Sequence, residues 1–315
     1  MKNKKILIIG GSGALGKTLL KRYHKDNKII VVSRDEHKHV FLSKKYNDVY
    51  FQIGDVKDKD SIMKAINDNK PEIIINAAAL KHVPICETNV FESVKTNIIG
   101  HQNLIDCVNT SNHKIEALIF ISTDKACKPI NVYGMSKAIA ERLYVNFSEK
   151  QKEIKVIISR YGNVLESTGS VIPFFKKLLK EGCEYLPITN YDMTRFLMSL
   201  DDAVDLIEWS YNKEDSHGKI VVPKMKSLKI VDIADELSLS VLGINVSLKQ
   251  VGIRPGEKIH EEMISLEESL RTIECENYYM ITNKVINQTS WSYNSENNIL
   301  EKSKVFNFLK DRGVI

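Results

Sequence analysis

The sequence predicts an α/β protein, a doubly wound parallel sheet followed by a smaller C-terminal α/β region. Three observations carry that expectation. Short, apolar, β-branched runs recur through the first half of the chain, each followed by a stretch with helical spacing. A glycine-rich turn joins the first strand pattern to the first helix pattern. The alternation holds to about residue 160 and then gives way to shorter strands, turns and helices, which places one unit over 1–160 and another over 161–315.

Residues 5–9 read as a buried strand, and Gly10-Gly11-Ser12-Gly13-Ala14-Leu15-Gly16 leads from it into a helical pattern ending near Tyr23. Such a turn brings backbone amides up to a pyrophosphate at a helix N-terminus, where the dipole favours negative charge. Gly10, Gly13 and Gly16 fit one glycine register, and Gly11, Gly13 and Gly16 another. Either one makes the first unit a Rossmann-type nucleotide-binding domain. The next strand, 28–32, ends in Ser33-Arg34-Asp35. Ser33 and Arg34 suit the 2′-phosphate of NADP better than the bare ribose of NAD, although Asp35 keeps NAD open.

The strand at 49–53 runs into Gly54-Asp55-Val56, where Asp55 would bond an adenine amine or cap the helix beginning near Asp58. The strand at 72–75 runs into Asn76-Ala77-Ala78-Ala79, whose small side chains at Ala77 and Ala78 admit a cofactor close to the backbone. A helix over 90–110 carries Asn97 among apolar positions, where a polar side chain needs a specific partner. The apolar run 117–121 then leads through the polar stretch 122–131 into a helix reaching Phe147. Tyr133 and Lys137, four apart, share one face of it. A neighbouring ammonium favours a phenolate, so Tyr133 is a candidate base. Beyond Arg160, Tyr161-Gly162-Asn163 reads as a turn, 169–175 opens a helix, Arg195 and Arg254 lie beside turn-forming residues, and 298–308 reads as an amphipathic helix.

Composition narrows the function classes. The chain has 315 residues, 43% hydrophobic and 27% charged, so a sizeable core is available and disorder is not expected. The net charge of +5 is spread along the chain, which speaks against a nucleic-acid groove and leaves phosphate-bearing small molecules as partners. Five cysteines with no Cys-x-x-Cys, no His pair at ligand spacing and no membrane-length apolar run point to a reduced, cytoplasmic protein with no metal site and no membrane partner.

With the glycine turn, Asn76-Ala77-Ala78 and Tyr133-x-x-x-Lys137 in order, the chain resembles the extended short-chain dehydrogenase/reductases. More closely, residues 76–87, 122–137, Arg160-Tyr161-Gly162-Asn163, Met193-Thr194-Arg195-Phe196 and Arg254-Pro255-Gly256-Glu257-Lys258 resemble the inverting UDP-N-acetylglucosamine 4,6-dehydratases of surface-polysaccharide biosynthesis, over about residues 4–265. The resemblance implies tightly bound NADP, which is regenerated, held by Gly10, Ser12, Gly13, Ala14, Leu15, Gly16, Ser33, Arg34, Asp55, Val56, Ala77, Ala78, Tyr133 and Lys137. It implies that Tyr133, with Lys137, deprotonates the hydroxyl on sugar carbon 4 while Thr123 orients it. Lys125 would then remove the hydrogen on carbon 5, if burial or the Lys137 cation lowers its pKa, and Asp124 would act as the acid for the leaving hydroxyl on carbon 6.

It also implies that Lys81, Asn163, Arg195, Arg254 and Glu257 touch UDP-N-acetylglucosamine, that 161–315 is mainly a nucleotide-sugar-binding region with room for elements returning to the first unit, and that the chain forms a homo-oligomer, as large as a hexamer. One departure stands out: after Val164 the chain reads Leu165-Glu166-Ser167-Thr168-Gly169-Ser170, lacking the arginine the family commonly carries there. A UDP-N-acetylhexosamine 4-epimerase would need Tyr133 and Lys137 but has no use for the acid and base at Asp124 and Lys125. A non-catalytic nucleotide sensor would need neither pair.

Overall fold

A computed structural model of the chain describes residues 1–165 and 169–315. Its centre is a sheet whose parallel strands are β1 (Lys5–Ile9), β2 (Lys28–Ser33), β3 (Tyr50–Ile53), β4 (Ile73–Asn76), β5 (Ala117–Thr123) and β6 (Lys155–Tyr161). The spatial order runs from β3 through β2, β1, β4 and β5 to β6, so the order reverses between β1 and β4. Ligands bind in the crevice at the carboxyl ends of strands flanking such a reversal. Three further strands extend the sheet beyond β6: Ile220–Pro223 pairs parallel with β6, and Tyr278–Ile281 and Thr272–Glu274 follow antiparallel. The chain beyond residue 161 thus returns to the central sheet.

Helices cover both faces, which is why the central strands read as continuous apolar runs. Leu7, Ile9, Ile74, Leu118 and Phe120 point into one core, with Ile66, Leu104 and Tyr144 from covering helices. Ile6, Ile8, Ile75 and Ile119 point into the other, with Leu19, Leu20, Val204 and Ile207. A third core, with Phe175, Leu186, Leu237 and Leu309, belongs entirely to the C-terminal part. At about 25 cal/mol per Å² of apolar area removed from water, such two-sided burial makes the sheet a rigid platform for its strand tips.

Several boundaries differ from the sequence expectation for identifiable reasons. The run at 117–121 continues as strand to Thr123, because β6 pairs with it as far as Thr123 opposite Tyr161. Tyr161-Gly162-Asn163 is not a turn: Asn163–Val164 continues as a strand beside Thr194–Met198. Gly162 makes this possible, since a Cβ there would lie 2.7 Å from Phe196. Arg195 accordingly sits on a buried strand and not beside a turn. The helical stretch at 90–110 is divided by a π-helical turn, Lys95–Ile99. It contains Asn97, whose amide donates to the Leu80 carbonyl and Ser136 Oγ while its oxygen accepts from the Leu80 N–H. The last helix begins at Val305, later than expected, because Ile299 first bridges to Ser227 in extended form.

Candidate active site

The glycine turn after β1 is built for close approach. Gly10 has φ of 77°, and a Cβ on it would come within 2.7 Å of the Ala78 nitrogen, so the turn and the tip of β4 are pressed together. A Cβ on Gly16 would lie 2.1 Å from the Gly11 carbonyl. Gly10, Gly13 and Gly16 are therefore the register with the tighter steric need. The helix Ala14–Tyr23 follows with no side-chain cap on its first N–H groups. Leu15 and Val56 are buried beneath this rim.

At the tip of β2, Ser33 Oγ donates to Ser12 Oγ at 2.8 Å and lies 2.6 Å from His39 Nε2, tying the strand tip to the glycine turn. Arg34 is exposed, 3.6 Å from Asp55. Asp35 is engaged elsewhere: it caps the helix Glu36–Ser43 through the Lys38 N–H and pairs with the Lys38 amine at 2.7 Å. The cap considered for Asp55 belongs instead to Asp58, which accepts from the Asp60 and Ser61 N–H groups. Asp55 accepts from the Lys57 N–H and faces Arg34.

Asp124 and Lys125 lie in a single 3-10 turn directly after β5. The first turn of the helix Val132–Lys150 packs on it so closely that a Cβ on Gly134 would lie 2.2 Å from the Lys125 carbonyl. Asn131 fixes that helix start by capping Gly134 N–H and donating to the Gly256 carbonyl at 2.7 Å. Glu87 accepts from the Val132 N–H. Thr123 Oγ1 donates to Asp124 Oδ1 at 2.9 Å, and Lys125 Nζ approaches the same oxygen at 3.1 Å. Lys125 Nζ also reaches Asn163 Oδ1 at 3.3 Å and Glu261 Oε1 at 3.4 Å. Asp124 is fully buried, and its Oδ2, like Glu261 Oε2, has no hydrogen-bond partner among the described residues.

The electrostatics differ from the sequence expectation at two points. Burial pulls on Lys125, but the Asp124 and Glu261 carboxylates outweigh it and hold the amine above its ordinary value, so its pKa is not lowered. Burial raises the Asp124 carboxyl, and the Glu261 charge adds to this against the opposing Lys125. Burial also pushes the Tyr133 phenol up, opposed by its hydrogen bond with Thr123. Lys137 is brought down to about 7 by burial, against the pull of Glu141. Its amine donates to the Ile121 carbonyl and sits 4.1 Å above the Phe120 ring. In the chain alone, burial thus dominates over mutual assistance between Tyr133 and Lys137.

The other candidates divide. Asn163 joins the cluster. Arg195 is buried, and its terminal nitrogens donate to the Thr194, Lys258 and Ile259 carbonyls, with Nε 3.8 Å from Glu261. In the chain alone its guanidinium holds the segment around residue 260. Arg254 is exposed and paired with Glu257 at 2.6 Å. Lys81 reaches solvent, yet enough protein surrounds its amine to lower its pKa. Glu166 lies outside the described residues. Sequence reasoning missed Glu261 and Gly134. Glu261 stands only three residues beyond the Arg254 to Lys258 motif, whereas nothing local marks Gly134 as a contact with Lys125.

Behind the site lies a second charge cluster. Arg160, 1% exposed, donates through Nε and Nη2 to Glu141, through Nη1 and Nη2 to Glu268, and through Nη1 to the Met263 carbonyl, at 2.6 to 2.9 Å. Ser122 Oγ donates to Glu141 at 2.6 Å.

Residues 6–283 match the family model described as polysaccharide biosynthesis protein. A relative from Campylobacter jejuni subsp. jejuni serotype O:2, named UDP-N-acetylglucosamine 4,6-dehydratase (inverting), is 46% identical over 90% of this chain and 84% of its own length. A Rickettsia typhi relative named UDP-glucose 4-epimerase is 36% identical, over 89% and 83%. Among solved structures, Pen from Bacillus thuringiensis superposes with a TM-score of 0.91 at 31% identity, covering 100% of this chain and 99% of its own. DesIV (dTDP-glucose 4,6-dehydratase) from Streptomyces venezuelae shares the fold, with a TM-score of 0.70 at 19% identity over 81% and 86%. With residues 6–283 matched by the family model and relatives at up to 46% identity over nine-tenths of its length, the chain belongs to the polysaccharide biosynthesis protein family of short-chain dehydrogenase/reductase-type enzymes.

Proposed function

We propose that the chain is a lyase that converts UDP-N-acetylglucosamine to UDP-2-acetamido-2,6-dideoxy-β-L-arabino-hexos-4-ulose by inverting 4,6-dehydration with 5-epimerisation, working in the cytoplasm as a homo-oligomer. The observation that carries this reading is the shared hydrogen bond of Asp124 and Lys125 beside Tyr133 at the tip of β5. The names of the Campylobacter relatives give the substrate.

The glycine turn, with no room for side chains at Gly10 and Gly16, and the hydroxyls of Ser12 and Ser33 fit a dinucleotide. Exposed Arg34 and the engagement of Asp35 as a helix cap favour NADP over NAD. Gly10, Gly13, Gly16, Ala14, Leu15, Ala77 and Ala78 would shape the cradle and Asp55 would meet the adenine end. The nicotinamide, when bound, supplies a reversible hydride acceptor, so that no net oxidation remains.

Tyr133 removes the proton from the carbon-4 hydroxyl, oriented by Thr123, with Lys137 as the neighbouring cation. The resulting ketone acidifies carbon 5. One proton passing from Lys125 Nζ to Asp124 Oδ1 turns an ion pair into a neutral amine and a carboxylic acid. The amine then accepts the carbon-5 proton, and the acid protonates the carbon-6 hydroxyl as it leaves as water. These two transfers restore the ion pair. Asn163 holds Lys125 in line, and Lys81, Arg254 and Glu257 border the sugar nucleotide.

Proton NMR of the purified protein with UDP-N-acetylglucosamine in deuterated water tests the reading. We expect a new methyl signal, deuterium at carbon 5 and couplings of an inverted centre with no cofactor added. Conversion to UDP-N-acetylgalactosamine without a methyl signal would replace the reading with a 4-epimerase. Release of NAD and not NADP on denaturing the protein would overturn the cofactor assignment.

A further inference from the structure

We infer that Glu261 is a positioning residue of the dehydration: it is the carboxylate that stays ionised against Lys125 and Arg195, and it thereby makes Asp124 the member of the cluster that carries the proton. The inference deepens the dehydratase reading and rests on it. Two carboxylates, Asp124 and Glu261, approach one ammonium, Lys125 Nζ, at 3.1 and 3.4 Å from opposite parts of the chain. Both are buried, and each leaves one oxygen without a partner among the described residues. Carboxylates sharing a dry site do not both ionise freely; the one with more cationic company takes the charge.

Glu261 has that company. Its Oε1 faces Lys125 and, at 3.8 Å, Arg195 Nε, whose remaining donors are fixed on backbone carbonyls and cannot swing away. Lys258, three residues earlier, adds a further positive charge. Its backbone is anchored too, the Glu261 N–H donating to Ser295 Oγ at 2.8 Å. Among the described residues Asp124 pairs with Lys125 as its one cation, with the Thr123 hydroxyl on the same oxygen and the Tyr133 phenol nearby. The directions of their acidities agree with this division, Glu261 held low by Lys125 and Arg195 against its burial, Asp124 raised. Glu261 does not touch the reacting atoms in this account; it acts through Lys125.

The consequence is specific. The competent pair holds one proton between Asp124 and Lys125, and it is lost at low pH by gaining a second proton and at high pH by losing the first. A fixed anion beside the pair raises both of these transitions. Glu261→Gln keeps the shape and removes the anion, so both limbs of the pH profile for methyl formation should move to lower pH together, by about one unit or more. On the alkaline limb that is a roughly tenfold loss of rate at fixed pH. Glu261→Asp should restore part of the shift. A rate that falls equally at every pH, with both limbs in place, would reduce Glu261 to a structural residue and overturn the inference.

A second measurement needs neither turnover nor a folded Glu261→Gln protein. Infrared titration of the cofactor-loaded wild type should show a buried carboxylic acid band that persists to higher pH than the bands of exposed carboxyls and that disappears in Asp124→Asn. Absence of that band, or its survival in Asp124→Asn, would overturn the inference. The two readings fail separately: a wild type that yields no methyl signal refutes the dehydratase, while the infrared band still reports which carboxyl holds the proton.

Discussion

Two buried clusters sit back to back in this molecule, each with one cation between two carboxylates, and they are finished differently. Around Arg160 the five N–H donors all meet acceptors, four on Glu141 and Glu268 and one on the Met263 carbonyl. Around Lys125 the geometry is looser, at 3.1 to 3.4 Å, and Asp124 Oδ2 and Glu261 Oε2 lack partners among the described residues. A completed network fixes structure, because any change leaves a buried charge uncompensated. An incomplete one retains free energy that a substrate or a moving proton can use. The first cluster ties the helix Val132–Lys150 to β6 and to the segment around Glu268, and the second occupies the crevice that this tie holds open.

The sharpest way to break the comparison is to remove one member of each cluster. Asp124→Asn should lower kcat/KM by about 10²- to 10⁴-fold, the usual span of a general acid, with the melting temperature unchanged or raised because a buried unpartnered carboxylate oxygen is gone. Arg160→Met should do the reverse in kind. Urea denaturation should show a loss of about 3–5 kcal/mol, since Glu141 is left buried without its cation and Glu268 keeps only Arg271, at 3.6 Å. Equal losses of stability in the two variants would show that the clusters do not differ in role.

Acid titration sharpens the same contrast. The Arg160 guanidinium, with the Ser265 N–H, overcomes burial and holds Glu268 at about 2, below its ordinary 4.5. Its stabilisation is therefore complete above about 4.5 and is lost as pH falls through about 2, worth roughly 3 kcal/mol in all. Asp124 runs the other way, because its raised pKa makes folding less favourable as pH climbs past its ordinary value of 3.8. Chemical denaturation across acidic pH should thus show a steep acid loss in the wild type that Arg160→Met flattens. Asp124→Asn should leave that acid limb in place.

The scaffold was legible from the sequence largely because its signals are local. Continuous apolar strands, the glycine turn and the four-residue spacing of Tyr133 and Lys137 each lie within a few residues, and the strands and the helix stand where these signals put them. What was not legible depends on contacts between distant segments. Glu261 becomes part of the site only because Arg195 holds residues 258 and 259 by their carbonyls, 63 and 64 positions away. Nothing in Met193-Thr194-Arg195-Phe196 signals that Thr194 to Phe196 pair with Ser227–Lys229 and that the same strand goes on to pair with Asn163–Val164. The charge state of Lys125 was misjudged for the same reason: burial was foreseeable from an apolar flank, whereas a second carboxylate 136 residues away was not.

The smallest effects give the finest test, because β5 feeds both clusters from adjacent residues. Alternation along a strand sends Ser122 and Thr123 to opposite faces. Ser122 donates to Glu141 at 2.6 Å and Thr123 to Asp124 at 2.9 Å. Ser122→Ala removes one hydrogen bond from a carboxylate that keeps both of its arginine contacts, so it should cost about 1 kcal/mol and leave the pH profile of methyl formation where it was. Thr123→Val should cost a similar amount of stability but also change the chemistry. Its hydroxyl favours the ionised form of Asp124, so its removal raises that carboxyl further and moves the acid limb, where the pair gains its second proton, to higher pH, opposite to Glu261→Gln. The maximal rate should fall at the same time, since the Tyr133 phenol loses the neighbour that lowers its own pKa and the carbon-4 hydroxyl loses its guide. Two substitutions one residue apart, alike in size and burial, would then separate into a stability effect and a protonation effect; a shifted limb in Ser122→Ala, or a fixed one in Thr123→Val, would mean that the two clusters are one electrostatic unit.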